Sequence, residues 1–208
     1  MIENRELLKY YIKSDLKSLG LYPLSSMKKM GGVLCPKPWK LQIKLRNLEH
    51  YINTHKDNRF TKFMIALKYQ LFKRYCLKLG CDIHPNVFGP GLCLNHCEGV
   101  VVNGNSRIGS NCRINAGVNI GSFSKFDDDF THYNAPEIGD NVYIGPGAKI
   151  FGKIKIGNNV AIGANAVVFM DVPDNSTVVG IPGRIIPDKG SYSMLLYGDD
   201  SKRPSIQT

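Results

Sequence analysis

The stretch IGDNVYIGPGAKI, residues 138–150, decides the fold of this chain. Isoleucine stands at every sixth position of it, and the same period continues in both directions. The aliphatic positions of the repeat are Val102, Ile108, Ile114, Ile120, Ile138, Ile144, Ile150, Ile156, Ile162 and Val168. Ile or Val at all ten would arise by chance with a probability on the order of 10⁻⁸, so the period reports a repeated structural unit.

Two further positions share this period. A small, mostly apolar residue precedes each aliphatic by two positions, and Cys112 is one of these, which predicts a place in the core. One position earlier stands Asn or Gly in seven of eight cases, which predicts a tight corner with positive φ. The eight are Asn105, Asn111, Gly117, Asn141, Gly147, Lys153, Asn159 and Asn165.

Short strands joined by such corners predict a triangular solenoid. Three hexads make one coil, and successive coils stack as parallel strands about 4.8 Å apart. The period does not set the handedness of the coil, and general crossover chirality favours a right-handed turn.

Before residue 80 the apolar residues recur at helical spacing, which predicts helices over 3–19, 39–52 and 60–79. Asp57 or Asn58 is the expected N-cap of the third. We therefore divide the chain into an N-terminal helical segment at 1–80, a β-helix at 81–187 and a C-terminal tail at 188–208.

Segment 121–137 lacks the Asn/Gly corners and is expected to project from the β-helix as a loop; the alternative is an irregular coil in place. Its three consecutive acidic residues, Asp127, Asp128 and Asp129, are interpreted as solvated loop charges rather than metal ligands.

The net charge of +10 is unevenly placed. Residues 1–80 hold 17 Lys or Arg against 5 Asp or Glu and carry +12, while the rest carries −2. No nucleic-acid recognition motif accompanies the charge, so no nucleic-acid partner is expected. The basic segment predicts either solvated helix faces or peripheral association with an anionic membrane surface.

The first residues are charged and resemble no secretion signal, and no run of about 18 apolar residues occurs. The six cysteines are therefore expected to be reduced thiols in a cytoplasmic protein.

Three stretches resemble the hexapeptide-repeat acyltransferases: residues 138–150, IGANAVV at 162–168 and the terminator VVGIPGRII at 178–186. The resemblance implies a mainly β protein with a left-handed parallel β-helix of hexapeptide repeats. It further implies an enzyme, a homotrimer with active sites between subunits, and acetyl-CoA as co-substrate without a metal.

His96 lies six residues before Val102, in a position that is otherwise aliphatic, and is either a structural or a functional exception. The surrounding GLCLNHCEGVVV (91–102) is similar to the Gly-x-x-Leu-Asp-His-x-x-Gly-x-Val-Val stretch of serine acetyltransferases and their polysaccharide-modifying relatives. The resemblance implies that His96 is the general base that deprotonates the acceptor hydroxyl.

The resemblance also pairs this base with a carboxylate that fixes its tautomer. Asp82 matches it, although it stands 14 residues before His96 where serine acetyltransferases have 15. Glu98 or a backbone carbonyl is the alternative partner, and capping of the helix-to-coil junction is the alternative role of Asp82.

For the co-substrate, the resemblance implies CoA contacts at Ser122, Pro146, Ala164 and Arg184. The first three are compact enough for the pantetheine arm to approach the backbone, and Arg184 supplies charge for a CoA phosphate. The alternative is that they are ordinary corner residues and a surface charge.

The substrate that accepts the acetyl group is inferred from charged residues that serine acetyltransferases share and this chain lacks. Serine acetyltransferases resemble each other in an Asp just before the catalytic His and an Arg-His pair before the Pro that closes the loop, where this chain has Asn95 and Asn134-Ala135. Asn suits a neutral hydroxyl, so we expect Asn95 to bind a sugar and the chain to be an O-acetyltransferase of capsule, O-antigen or exopolysaccharide biosynthesis.

Two alternatives remain. The first is a serine O-acetyltransferase of cysteine biosynthesis, and the remote second is a hexapeptide solenoid without transferase activity, including a metal-dependent carbonic anhydrase relative. In that relative two of the metal-binding histidines are five apart, a spacing found here only at His50 and His55, within the helical segment.

Overall fold

The computed structural model describes residues 1–20, 37–55, 58–122 and 135–195. Its helices are α1 (Arg5–Ser18), α2 (Lys37–Thr54) and α3 (Arg59–Lys78), close to the predicted positions. The side chain of Asn58 caps α3 by accepting a 2.8 Å hydrogen bond from the backbone N–H of Thr61, which decides between the two candidate caps. Gly80, with φ of +67°, follows the end of α3.

The described residues after α3 form thirteen short strands. They are β1 (Cys93–Leu94), β2 (Val101–Val102), β3 (Arg107–Ile108), β4 (Arg113–Ile114), β5 (Asn119–Gly121), β6 (Glu137–Ile138), β7 (Tyr143–Ile144), β8 (Lys149–Phe151), β9 (Lys155–Ile156), β10 (Ala161–Ile162), β11 (Val167–Val168), β12 (Thr177–Val179) and β13 (Arg184–Ile186).

These strands form three sheets, in the orders β1-β4-β7-β10-β12-β13, β2-β5-β8-β11 and β3-β6-β9. Every pairing is parallel except β12 with β13. Because each strand pairs with the equivalent strand of the next coil, the molecule is a parallel β-helix, as the six-residue period predicts.

The repeated aliphatic side chains fill the interior of the coil. All ten are at most 4% exposed, and within one sheet Ile114, Ile144 and Ile162 are in direct register. Cys112 lies in the core as predicted, and burial raises the pKa of its thiol, which disfavours a nucleophilic thiolate there.

The corners follow the Asn/Gly prediction at six of the eight positions. Asn111, Asn141, Asn159 and Asn165 have φ between 55° and 57°, and the glycines at 117 and 147 have φ of 73° and 72°. The two exceptions are the positions of Asn105 and Lys153, and in the second case the positive φ falls one residue earlier, on Gly152.

Along one corner the asparagine side chains stack into a ladder. The side-chain amide of Asn141 donates to Asn159 at 3.1 Å, and that of Asn159 donates to Asn175 at 3.0 Å. The ladder therefore links successive coils through side chains, in addition to the backbone hydrogen bonds of the sheets.

We expect Asn159→Ala to lower the free energy of unfolding by about 2–4 kcal/mol. The variant forfeits two side-chain hydrogen bonds and leaves alanine, which tolerates the left-handed region less well than asparagine, at positive φ. Asn159→Gly loses the same bonds but tolerates the backbone, so its loss should be smaller by about 1–2 kcal/mol. Chemical denaturation of both variants measures the difference, and equal losses would show that the corner imposes no conformational cost.

Several predictions lie outside the described residues. Most of the segment 121–137 does, including Asp127, Asp128, Asp129 and Asn134, as do Cys35 and the tail beyond residue 195. The domain boundaries at 80 and 187 stay predictions. Within the described ranges no helix is long and apolar enough to cross a membrane, and the thiols of Cys76, Cys81, Cys93, Cys97 and Cys112 are free.

Candidate active site

His96 lies in the corner between β1 and β2 and is exposed. The register pairs Leu94 with Ile114, so Leu94 fills the aliphatic column. The prediction that His96 occupies this inward position is wrong, because eight residues rather than six separate the inward Leu94 from Val102. The longer corner leaves the imidazole at the surface, where a substrate can reach it.

The same edge of the coil carries two of the predicted cofactor positions. The backbone carbonyls of Glu98, Ala116 and Pro146 each accept a 2.8 Å hydrogen bond from the corner of the next coil. The corners on this edge are therefore stacked in the order His96 turn, Ala116, Pro146 and Ala164. At about 4.8 Å per coil, Pro146 and Ala164 lie about 10 and 14 Å along this edge.

Glycine makes the close stacking of these corners possible. A Cβ built on Gly145 would lie 2.7 Å from the backbone nitrogen of Ala164, a separation that real Cβ atoms do not adopt. Pro146 and Ala164 themselves are exposed. The edge therefore presents compact side chains and backbone to solvent.

A cavity of about 400 Å³ opens beside Ala164 and is also lined by Arg113, Tyr143 and Met194. A larger cavity of about 1060 Å³ lies over the sheet β3-β6-β9, and none of the predicted site residues lines it. We place the site by His96 and its edge of the coil rather than by cavity size, because none of the predicted catalytic or cofactor residues lines the larger cavity.

The other two predicted cofactor residues, Arg184 and Ser122, lie apart from Pro146 and Ala164. Arg184 is exposed on β13, opposite Val179 of β12 and two strands beyond β10, which Ala164 follows. Ser122 follows β5, at the next corner of the triangle, where its hydroxyl accepts a 3.3 Å hydrogen bond from Asn103. The structure thus brings Pro146 and Ala164 onto the edge of His96 and sets Ser122 on another edge.

Asp82 bonds residues other than His96. Its carboxylate accepts a hydrogen bond from Lys73 of α3 and lies 3.7 Å from Nε2 of His84. Tyr69, also on α3, reaches Nδ1 of His84 at 3.1 Å. Burial and the nearby Lys73 lower the pKa of His84. Among the described residues no hydrogen bond joins Asp82 to His96.

This network was not predicted, although Tyr69 and Lys73 stand four apart on α3 and could have indicated a shared polar contact. The backbone of Asp82 nevertheless lies beside the strand that follows the His96 corner. Its N–H donates to the carbonyl of Val100, and its carbonyl accepts from Val102, both at 2.8 Å.

The immediate neighbours of His96 differ in exposure. Asn95 is half-buried and Glu98 is exposed, whereas Cys93 and Cys97 are buried. Burial raises the pKa of the Cys93 thiol to about 11, which disfavours a thiolate there. Among residues 1–20, 37–55, 58–122 and 135–195, no three His, Cys, Asp or Glu side chains are arranged to hold a metal ion.

Comparison with known proteins agrees with this architecture. Residues 135–169 match the family model described as bacterial transferase hexapeptide (six repeats). The serine acetyltransferase of Staphylococcus aureus is 41% identical over 141 residues, which cover 67% of this chain and 63% of that protein. This chain therefore spans less than two thirds of that relative.

Similar solved structures are also serine acetyltransferases. Soybean serine acetyltransferase in complex with serine has a TM-score of 0.69 at 30% identity, over 86% of this chain and 69% of that one. A serine acetyltransferase in complex with CoA has a TM-score of 0.68 at 26% identity, over 88% and 71%.

The chain belongs to the hexapeptide-repeat acetyltransferase family. Within that family it is similar to the serine acetyltransferases. This finding overturns the prediction of a sugar O-acetyltransferase of polysaccharide biosynthesis and supports the alternative instead. That prediction depended largely on Asn95 and Asn134-Ala135, whereas the similarity extends over 67% of the chain.

Proposed function

We propose that this protein transfers the acetyl group of acetyl-CoA to the side-chain hydroxyl of L-serine. The observation that carries the proposal is the position of His96, exposed at the head of an edge on which Pro146 and Ala164 follow. Support for the acceptor and the donor comes from the relatives, one of which was solved with serine and another with CoA.

In the proposed reaction His96 acts as general base. A hydroxyl is a poor nucleophile until its proton is removed, and a neutral imidazole can accept that proton as the oxygen attacks the thioester carbonyl. The resulting imidazolium then protonates the sulfur of the departing CoA. Because the imidazole is exposed, both substrates can approach it without a rearrangement of the core.

For the donor, we assign the edge with Pro146 and Ala164 to the pantetheine arm and Arg184 to a phosphate of CoA. The compact exposed corners let the arm approach the backbone, and Arg184 lies on β13, two strands beyond β10. Ser122, at another corner of the same chain, fits this assignment only if a neighbouring subunit presents it. The proposal therefore includes a homotrimer with active sites between subunits. It also includes a left-handed coil, which the family resemblance implies.

For the acceptor, Glu98 replaces the missing Asp at position 95 as a source of negative charge. It is exposed two residues after His96 and can face the ammonium group of serine. Asn95 is assigned to the acceptor through its amide. Asp82 remains our candidate for orienting His96, a role for which its carboxylate would have to leave Lys73.

The proposal is tested by following the release of free CoA from acetyl-CoA. We expect saturable release that depends on L-serine, with L-alanine as the matched acceptor because it lacks only the hydroxyl. Release at the same rate with both amino acids would indicate simple thioester hydrolysis. No serine-dependent release from folded protein would overturn the proposed acceptor.

A further inference from the structure

Helix α3 exposes an apolar face. Phe60, Phe63, Leu67 and Leu71 recur at helical spacing and are 72%, 65%, 44% and 57% exposed. The apolar side of this helix predicted from the sequence also includes Met64, Tyr75 and Leu79. Tyr75 and Leu79 pack against the core, whereas the four exposed residues do not. The buried positions of α3 are Thr61, Phe72 and Cys76, which lie on the other side.

The surface around this face is predominantly basic. Helix α3 contains six Lys or Arg and no acidic residue. Helix α2 contains a single acidic residue, Glu49, which is buried and paired with Arg46 at 2.9 Å. The two helices therefore carry a net positive charge, although Asp82 of the first coil forms an ion pair with Lys73 of α3.

Basic side chains lie directly beside the apolar residues. A cleft between α2 and α3 is lined by Leu71 together with Lys44 and Lys68. The ammonium of Lys68 lies 4.7 Å from the ring centre of Tyr51, and that of Lys44 lies 5.3 Å from the ring centre of Tyr75. These contacts hold the two lysines against the helix pair, at the border of the apolar face.

We propose that this face, defined by Phe60, Phe63, Leu67 and Leu71 with Lys44 and Lys68 at its border, docks on an anionic lipid bilayer. Apolar side chains enter the boundary between headgroups and acyl chains, while lysines contact lipid phosphates. A second copy of this chain would bring one net positive surface against another, which is electrostatically unfavourable. Charge complementarity therefore selects the anionic membrane, independently of the proposed enzymatic function.

The test is co-sedimentation of the full chain with vesicles of phosphatidylcholine alone and of an equal mixture of phosphatidylcholine and phosphatidylglycerol. We expect binding to the mixed vesicles only, weakened by added salt because the attraction is screened. The double variant Phe60→Ser/Phe63→Ser should lose at least about tenfold in vesicle affinity, because it removes the two most exposed apolar groups of the face.

The matched control is Phe169→Ser, which removes an aromatic residue that is 51% exposed on the β-helix and should bind like the parent chain. A second double variant, Lys44→Gln/Lys68→Gln, should weaken binding and flatten its salt dependence. Circular dichroism verifies that each variant is folded.

Three outcomes would overturn the proposal. The first is no preference for the anionic vesicles, and the second is equal loss of binding in the Phe169 control. The third is a change of oligomeric state in Phe60→Ser/Phe63→Ser without lipid, measured by sedimentation velocity, while vesicle binding stays intact. That result would show that another copy of the chain covers the face.

Discussion

Replacing His96 by Ala is expected to lower kcat for acetyl transfer to L-serine by about 10²–10⁴-fold, the usual contribution of a positioned general base. The imidazole is exposed, and Leu94 fills the core position of this coil, so the substitution removes no core packing. We therefore expect an unchanged melting temperature and oligomeric state. Steady-state release of CoA measures the activity, and thermal unfolding measures the stability.

His55→Ala is the matched control, because His55 is also exposed and its ring stacks on Tyr51 at 3.8 Å near the end of α2, away from the corner of His96. It should retain the parent activity. Near-normal turnover in the His96 variant would eliminate it as the base, whereas a variant that is inactive and also unfolded would indicate a structural role for this histidine.

Replacing Arg46 by Met is expected to lower the free energy of unfolding by about 3–5 kcal/mol, because it leaves two buried carboxylates without their cation. The Arg46 guanidinium is fully buried and bonds Asp15 of α1 at 2.8 Å and Glu49 at 2.9 Å. It also donates to the backbone carbonyls of Phe88 and Gly89, at 2.9 and 2.6 Å, and thereby ties both helices to the first coil.

The pH dependence distinguishes this mechanism from a simple loss of packing. Burial raises the pKa of Glu49, and Arg46 opposes that rise. Without Arg46 the pKa of Glu49 in the folded state should rise further above its value in the unfolded chain. The contribution of Glu49 to stability is then most favourable at low pH and is lost as the pH increases. Its deficit relative to the parent should therefore shrink on acidification.

Lys40→Met is the matched control, because Lys40 is an exposed cation on the same helix. It should unfold within about 0.5 kcal/mol of the parent chain. A small effect of Arg46→Met that is independent of pH would contradict the proposed role of the buried ion pairs.

The periodic part of the chain was predictable from the residues alone. Inward aliphatic, outward polar and positive-φ residues repeat every six positions, and only a stacked coil accommodates all three at once. The columns of Ile and Val and six of the eight corners therefore follow from local chemistry. The helices could be located for the same reason, from apolar spacing and the cap at Asn58.

The candidate site was predictable only in part. The resemblance selected His96, but counting back by six placed it inside the coil, because a period cannot register the two extra residues of one corner. Likewise Asp82 could be matched by sequence position, whereas its bond to Lys73 depends on how α3 packs against the first coil.

The sequence by itself therefore determined the β-helix, its inward columns and its asparagine corners, since each depends on residues close together in the chain. Only the tertiary structure decided that His96 is exposed and that Arg46 joins two helices to the coil. It also decided that α3 buries Phe72 and Cys76 while Phe60 and Phe63 stay exposed. These features arise between residues distant in sequence, where packing and charge compensation, rather than local periodicity, set the arrangement.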